Sequence, residues 1–183
     1  VALWCVEMRS GRVEWKRALG SSEGHAHRKH NMSTPSPVVG DGRVFAMTGN
    51  GVVKGFTVDG KELWARDLQK DYGQFGLNWG YASSPLLLGD ALYVQVLHGM
   101  KTDDPSYVMR IDKNTGKTVW RQERPTTAIA EAPDAYTTPV PLKAANRTEI
   151  VVSGAACKRV VAAGAHHGVV ADLAAAAGLE QGQ

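Results

Sequence analysis

Short apolar runs recur along this chain, separated by Gly, Asp and Asn, and no run is long. Val38-Val39, Arg43–Thr48 and Val52–Val58 form one series. Leu86-Leu87-Leu88, Ala91–Leu97 and Tyr107–Asp112 form a second, and Val140-Pro141-Leu142 opens a third. Runs of this length, rich in Val, Leu, Tyr and Phe and bounded by turn-forming residues, predict strands. Each series opens just after a Ser-Pro or Thr-Pro pair: Ser36-Pro37, Ser84-Pro85 and Thr138-Pro139. Proline suits the first residue of a strand, where no ladder donor is lost.

A fourth strand closes each series. Gly11, Gly60 and Gly116 each precede a tryptophan, Trp15, Trp64 or Trp120, by four residues. The tryptophans fall 49 and 56 positions apart. A unit therefore reads as strand, turn, strand, turn, strand, tight Gly turn, and a strand ending in Trp. Asp59-Gly60 and Asn114-Thr115-Gly116 suit a hairpin turn whose last residue needs a positive φ. Four antiparallel strands repeating at roughly 40–50 residues make the blade of a β-propeller. One Trp per blade could bury about 150–250 Å² between neighbouring blades, which gives Trp15, Trp64 and Trp120 a structural role.

The stretch Asp112–Trp120, Asp-x-x-Thr-Gly-Lys-x-x-Trp, resembles the repeat signature of pyrroloquinoline-quinone-like (PQQ-like) β-propellers, as do the Ser-Pro strand openings. The resemblance spans roughly residues 2–154. The first repeat has Glu7 in place of the Asp and Arg12 in place of the Lys. The second is shorter before its Gly and has Thr57 near the acidic position. The resemblance implies a periplasmic or exported bacterial protein, and it admits two functions. One is a non-catalytic binding or assembly scaffold, with no cofactor in this fragment. The alternative is a quinoprotein alcohol or sugar dehydrogenase using PQQ and Ca²⁺, for which an adjacent Cys-Cys pair, a Glu and Asn metal pair and a catalytic Asp would be expected. Cys5 and Cys157 are isolated and form no such pair.

Length refines this picture. The 183 residues are expected to hold a fragment of an all-β propeller: about two full four-stranded blades and parts of two others. Residues 1–20 read as the C-terminal half of a blade, 21–70 and 71–124 as full blades, and 125–154 as the first half of another. Residues 155–183 read as a divergent Ala-rich tail. A shifted reading frame in a GC-rich gene, disorder or a terminal helix would each account for it. A net charge of +3 with both signs mixed describes an ordinary surface. Arg28-Lys29 is too short a basic cluster for a nucleic-acid patch. No uninterrupted apolar run is long enough to span a membrane.

Candidate chemistry gathers where loops should meet. In an up-and-down blade, the loop entering the innermost strand shares a face with the loop between the second and third strands. That geometry places His30, Asn31, Asn78, Trp79, Tyr81, Asp134 and Tyr136 together, joined by His98 and Lys101 of the long loop 98–105. A loop insertion with aromatic and polar tips is a usual way for a repeat scaffold to make a binding surface. The expected partner on this funnel face is a protein or a small polar ligand. His25, His27 and His30 stand at a spacing that imidazoles can use on Zn or Cu, but a solvated loop is the plainer reading and no metal site is assigned. Asp103-Asp104 reads as a turn, and Asp134 has no identifiable catalytic partner.

Overall fold

Two strands, β1 (Ala2–Val6) and β2 (Val13–Ala18), pair antiparallel as a half-blade. A full blade follows: β3 (Val38–Gly40), β4 (Arg43–Met47), β5 (Val52–Thr57) and β6 (Glu62–Asp67), hydrogen-bonded in chain order. The next blade repeats it with β7 (Leu86–Leu88), β8 (Ala91–Val96), β9 (Tyr107–Asp112) and β10 (Thr118–Glu123). A further sheet runs β11 (Val140–Ala144), β12 (Arg147–Val151), β13 (Val160–Ala163) and β14 (Val170–Ala171). The structure, a computed structural model, describes residues 1–144, 147–154, 160–163 and 170–171. Apart from β13 and β14, the Ala-rich segment 155–183 lies outside the described residues.

The blades stack face to face because their middle strands bury residues on both sides. Every residue of β8 is buried. Leu92, Val94 and Val96 face the preceding blade, where they pack with Phe45, Met47 and Val53. Ala91 and Tyr93 face the other way and pack with Ile150 and Val152. This period-two division between two neighbours explains why the run reads as continuously apolar. β3 and β7 lie side by side, so the first strand of each blade is the innermost. The chain is thus an arc of an incomplete all-β propeller.

Two sets of contacts join blade to blade. At the inner edge, the Ser36 N–H donates to the Ser84 hydroxyl at 2.8 Å, and the Ser84 N–H donates to the Thr138 hydroxyl at 3.1 Å. At the outer edge, the Trp15 indole N–H donates to the Val58 carbonyl at 2.8 Å. Trp64 repeats this with the Lys113 carbonyl at 2.9 Å. The tight turn that receives Trp64 is itself fixed by Asp112, whose carboxylate accepts the N–H groups of Asn114 and Thr115 at 3.0 and 2.8 Å. Hydrogen bonding, first from the Thr115 side chain, holds the Asp112 carboxyl below the usual range. Glu7 performs the same task in the first repeat, accepting from Arg9 and Ser10. In the shorter second turn the Thr57 hydroxyl accepts from Lys61.

Two details depart from the sequence reading. The tryptophans do not end their strands; each stands third in a six-residue strand that continues three residues beyond it. A five-residue helix, α1 (Leu68–Tyr72), follows β6 where no helix is predicted. Asp67 caps it by accepting the Lys70 N–H, and Gly73 ends it at φ +97°, a conformation glycine adopts freely.

Candidate functional site

Loops cluster at one end of the sheets. Residues 19–37 lead into β3, 73–85 into β7 and 124–139 into β11, and the turn 48–51 and loop 97–106 belong to the same end. Backbone hydrogen bonds weld them: Gly49 N–H to Met32 O, His27 N–H to Trp79 O, Lys101 N–H to Gly76 O and Ala135 N–H to Leu97 O. The arrangement follows from strand alternation, since an odd and an even number of strands bring the chain back to opposite ends.

Asp134 is the clasp between three loops. One carboxylate oxygen accepts the Asn78 N–H at 2.7 Å, and the other accepts the Met100 N–H at 3.2 Å. Nearby, the Tyr136 hydroxyl accepts the Trp79 N–H at 3.3 Å. Its phenol pKa is raised by burial.

His98 and Tyr81 lie beneath this surface. Tyr81 is 1% exposed, its hydroxyl donates to the Gln95 carbonyl, and burial raises its pKa. His98 is 3% exposed. Its Nδ1 accepts the Gly76 N–H at 2.9 Å, which leaves the proton on Nε2, 3.3 Å from the Pro105 carbonyl. Desolvation lowers its pKa. Both side chains hold the loops from below and present little surface to a ligand.

The outward layer is different. Trp79 is 43% exposed, yet its indole N–H donates to the Glu131 carboxylate and the His27 ring meets it edge-on at 4.6 Å between centroids. His30 sits beside Gly80, with Nε2 3.2 Å from the Tyr81 carbonyl and Nδ1 bonded to the Thr34 hydroxyl. Asn31 caps its own loop by accepting the Ser33 N–H. The Lys101 ammonium is 3.3 Å from His25 Nε2, and that nitrogen is 2.7 Å from the Asn78 carbonyl. His25, His27 and His30 thus each have protein partners. Among the described residues, no group of three His, Cys, Asp or Glu is arranged to hold a metal ion.

Three residues of this surface are not singled out by the sequence: Glu131, Met100 and Ile129. Met100 is 42% and Ile129 82% exposed. They lie in irregular loops with no periodicity, so no pattern announces an outward-facing apolar side chain or a carboxylate that anchors an indole.

With this geometry in place, the chain can be set among known proteins. A family of PQQ-type repeats, described as outer membrane protein assembly factor BamB, matches residues 2–122. The chain belongs to this family. Among solved structures, it is similar to BamB from Moraxella catarrhalis (TM-score 0.53, 15% identity), covering 92% of this chain and 42% of that one. It is also similar to the quinohemoprotein alcohol dehydrogenase ADHIIG from Pseudomonas putida HK5 (TM-score 0.62, 15% identity), covering 92% and 30%. A europium-containing methanol dehydrogenase matches with a TM-score of 0.51 and 17% identity over 67% of this chain and 21% of that one. At these identities the likeness is one of fold, and the chain spans less than half the length of each. Among curated proteins none matches. No helix among the described residues is long and apolar enough to cross a membrane.

Proposed function

We propose that the chain is part of a non-catalytic propeller module, exported or periplasmic, that acts as a binding or assembly scaffold and takes a protein partner on the face around Trp79. The observation that carries this is the state of Trp79, which is exposed but fixed on several sides. An exposed aromatic already held in one orientation loses little entropy on binding, and such residues dominate protein–protein interfaces. The family's description as an assembly factor supports the same reading.

The dehydrogenase alternative needs groups that hold PQQ and Ca²⁺. The 183 residues contain no adjacent cysteine pair. Both oxygens of Asp134, the acid that joins the loops of the face, already accept backbone N–H groups. The residues named on this face do not make a fitted set for the quinone and its cation.

The test is photo-crosslinking in cells with a benzophenone side chain at position 100, an exposed neighbour on the same face, in the parent and in a Trp79→Ala variant. A defined protein adduct, lost from co-purification in Trp79→Ala at unchanged stability, is expected. Saturable uptake of PQQ with Ca²⁺ and dye-linked alcohol oxidation would overturn the scaffold reading.

A further inference from the structure

We propose that His98 is a pH-sensitive latch, whose protonation releases loop 97–106 from segment 73–76 and so loosens the face around Trp79. The inference rests on the scaffold reading only for what the face is for; the latch itself is a property of the loops.

Several contacts hold the two pieces together. The Gly76 N–H donates to His98 Nδ1 at 2.9 Å, and the Gly76 carbonyl accepts the Lys101 N–H at 3.0 Å. The Gln74 N–H donates to the Asp104 carboxylate at 2.7 Å. The Phe75 ring meets the imidazole edge-on, 6.4 Å between centroids. So close are the backbones that a β-carbon on Gly76 would stand 2.4 Å from Thr102. Among these groups, His98 is the one whose ordinary pKa, about 6.5, lies near neutrality.

Because Nδ1 accepts, the ring is neutral and carries its proton on Nε2, 3.3 Å from the Pro105 carbonyl. A second proton can go only to Nδ1, where one N–H would then face another. The buried Gly76 amide would lose its acceptor, and a charge would appear at a position 3% exposed. Both are costly, and moving the ring towards water relieves both.

The charges around the ring set what a displaced imidazolium does. Asp104 acts on it from its own loop, and Asp134 and Arg124 from segment 124–139. Segment 73–76 faces it with the Gly76 amide and the Phe75 ring. The cation is drawn to Asp104 and Asp134, the carboxylates that hold the amides of Gln74, Asn78 and Met100, and it competes with those amides for them. One protonation thus removes the Gly76 bond and weakens the clasp beside Trp79. Burial lowers the pKa of the closed ring, whereas a ring turned to water keeps its ordinary value. Acid therefore favours the open arrangement.

The experiment is solution NMR of the full chain from about pH 8 to 4.5, a range that brackets imidazole titration. Nitrogen shifts of the His98 ring report its protonation. Amide exchange, corrected for its intrinsic pH dependence, reports protection at Gly76, Asn78 and Met100. Protection there is expected to fall by about ten-fold or more at the pH where Nδ1 takes its proton, while Val94 and Met109 keep theirs. His98→Gln, whose carboxamide offers an acceptor and a donor without titrating, should keep these loop amides protected across the range. Unchanged protection at Gly76 while the ring protonates would overturn the latch, as would a ring that stays neutral throughout. The same fall in His98→Gln, or a loss spread equally over β8 and β9, would overturn it too. Should His98→Gln fail to fold, the parent's titration decides alone. Absence of a cross-linked adduct at position 100 would sink the scaffold reading, and the exchange data would still decide the latch.

Discussion

Trp64 packs its indole against Gly116 of the following blade, so closely that a β-carbon on Gly116 would lie 2.7 Å from the ring. Gly60 stands in the same relation to Trp15, at 2.8 Å. The glycine of the repeat thus has two reasons to be glycine: a positive φ of 71° and the space its neighbour's indole fills. Gly11 has the same need for positive φ, at 73°, but nothing lies within 4 Å of its position. The two requirements can therefore be separated by mutation.

Gly11→Ala should cost only the conformational strain, about 1 kcal/mol, the low end for a non-glycine residue at positive φ. Gly116→Ala should cost that plus displacement of Trp64, for a total of at least about 2 kcal/mol. Urea unfolding midpoints of the two variants, at constant m-value, would check the difference. Equal losses would mean that the indole does not depend on the glycine. Trp64 is only partly buried, so Trp64→Ala should fall near the lower end of the roughly 3–5 kcal/mol seen for buried aromatic truncation.

The spacing of Gly and Trp made these contacts legible in outline; the turn-bounded run Tyr107–Asp112 coincides with β9, and β5 ends one residue short of the run Val52–Val58. What spacing could not show is the part played by Arg17 and Arg66, two residues after each Trp. Each donates to the carbonyl of the next blade's turn glycine, at 2.5 Å for Arg17 and 2.9 Å for Arg66. An arginine on an outer strand reads as a solvated residue until its partner, 43 or 50 positions away, is placed beside it. The face shows the same limit. Strand alternation says which loops share an end, but Tyr81, His98 and Trp79 look alike in sequence. Burial by distant residues such as Gln95 and Pro105 separates them.

The Ser-Pro openings carry a second role that their proline obscures. Ser84 uses its hydroxyl to accept from Ser36 and its amide to donate to Thr138, so it bridges three blades. Ser84→Ala removes the acceptor for the Ser36 amide and is expected to cost about 0.5–1.5 kcal/mol, the usual net worth of one such bond. Ser84→Thr keeps the hydroxyl and should recover most of it. A neutral Ser84→Ala in thermal or urea unfolding would remove the hydroxyl from the account of blade stacking.

Stability should fall as pH drops through two windows. His98 is held neutral by burial, so its folded pKa is lowered while the unfolded value stays near about 6.5. Below that pH the unfolded chain takes up a proton that the folded one refuses. Stability then declines by at most about 1.4 kcal/mol per pH unit, and the decline ends below the folded value. Asp134 and Asp104 oppose the shift and Arg124 reinforces it. The turn carboxylates Asp112 and Glu7 have lowered values, so their contribution is present above the ordinary carboxylate range of about 4 and lost beneath it. Unfolding midpoints followed from about pH 7.5 to 5 in the parent and His98→Gln would isolate the upper window. An identical slope in both proteins would assign it to another group.

Asp134 tests whether the face is held separately from the blades. Its two carboxylate oxygens tie the backbone of Asn78 to that of Met100, and neither of those residues belongs to a strand. The strands that flank them keep their own ladders and their buried clusters. Asp134→Ala should therefore release the loops while leaving β8 and β9 protected, because local opening draws on the least buried hydrogen bonds first. Charge-assisted bonds of this kind are each worth about 1.5–3 kcal/mol, so amide exchange at Asn78 and Met100 should quicken by roughly ten-fold or more, given about 1.4 kcal/mol per decade. Amides of Val94 and Met109 should keep their rates. Asp134→Asn, which retains one acceptor oxygen, should fall between the two. If exchange quickened uniformly across the blades instead, the clasp would be part of the propeller's global stability. The face around Trp79 could not then be altered without unfolding its support.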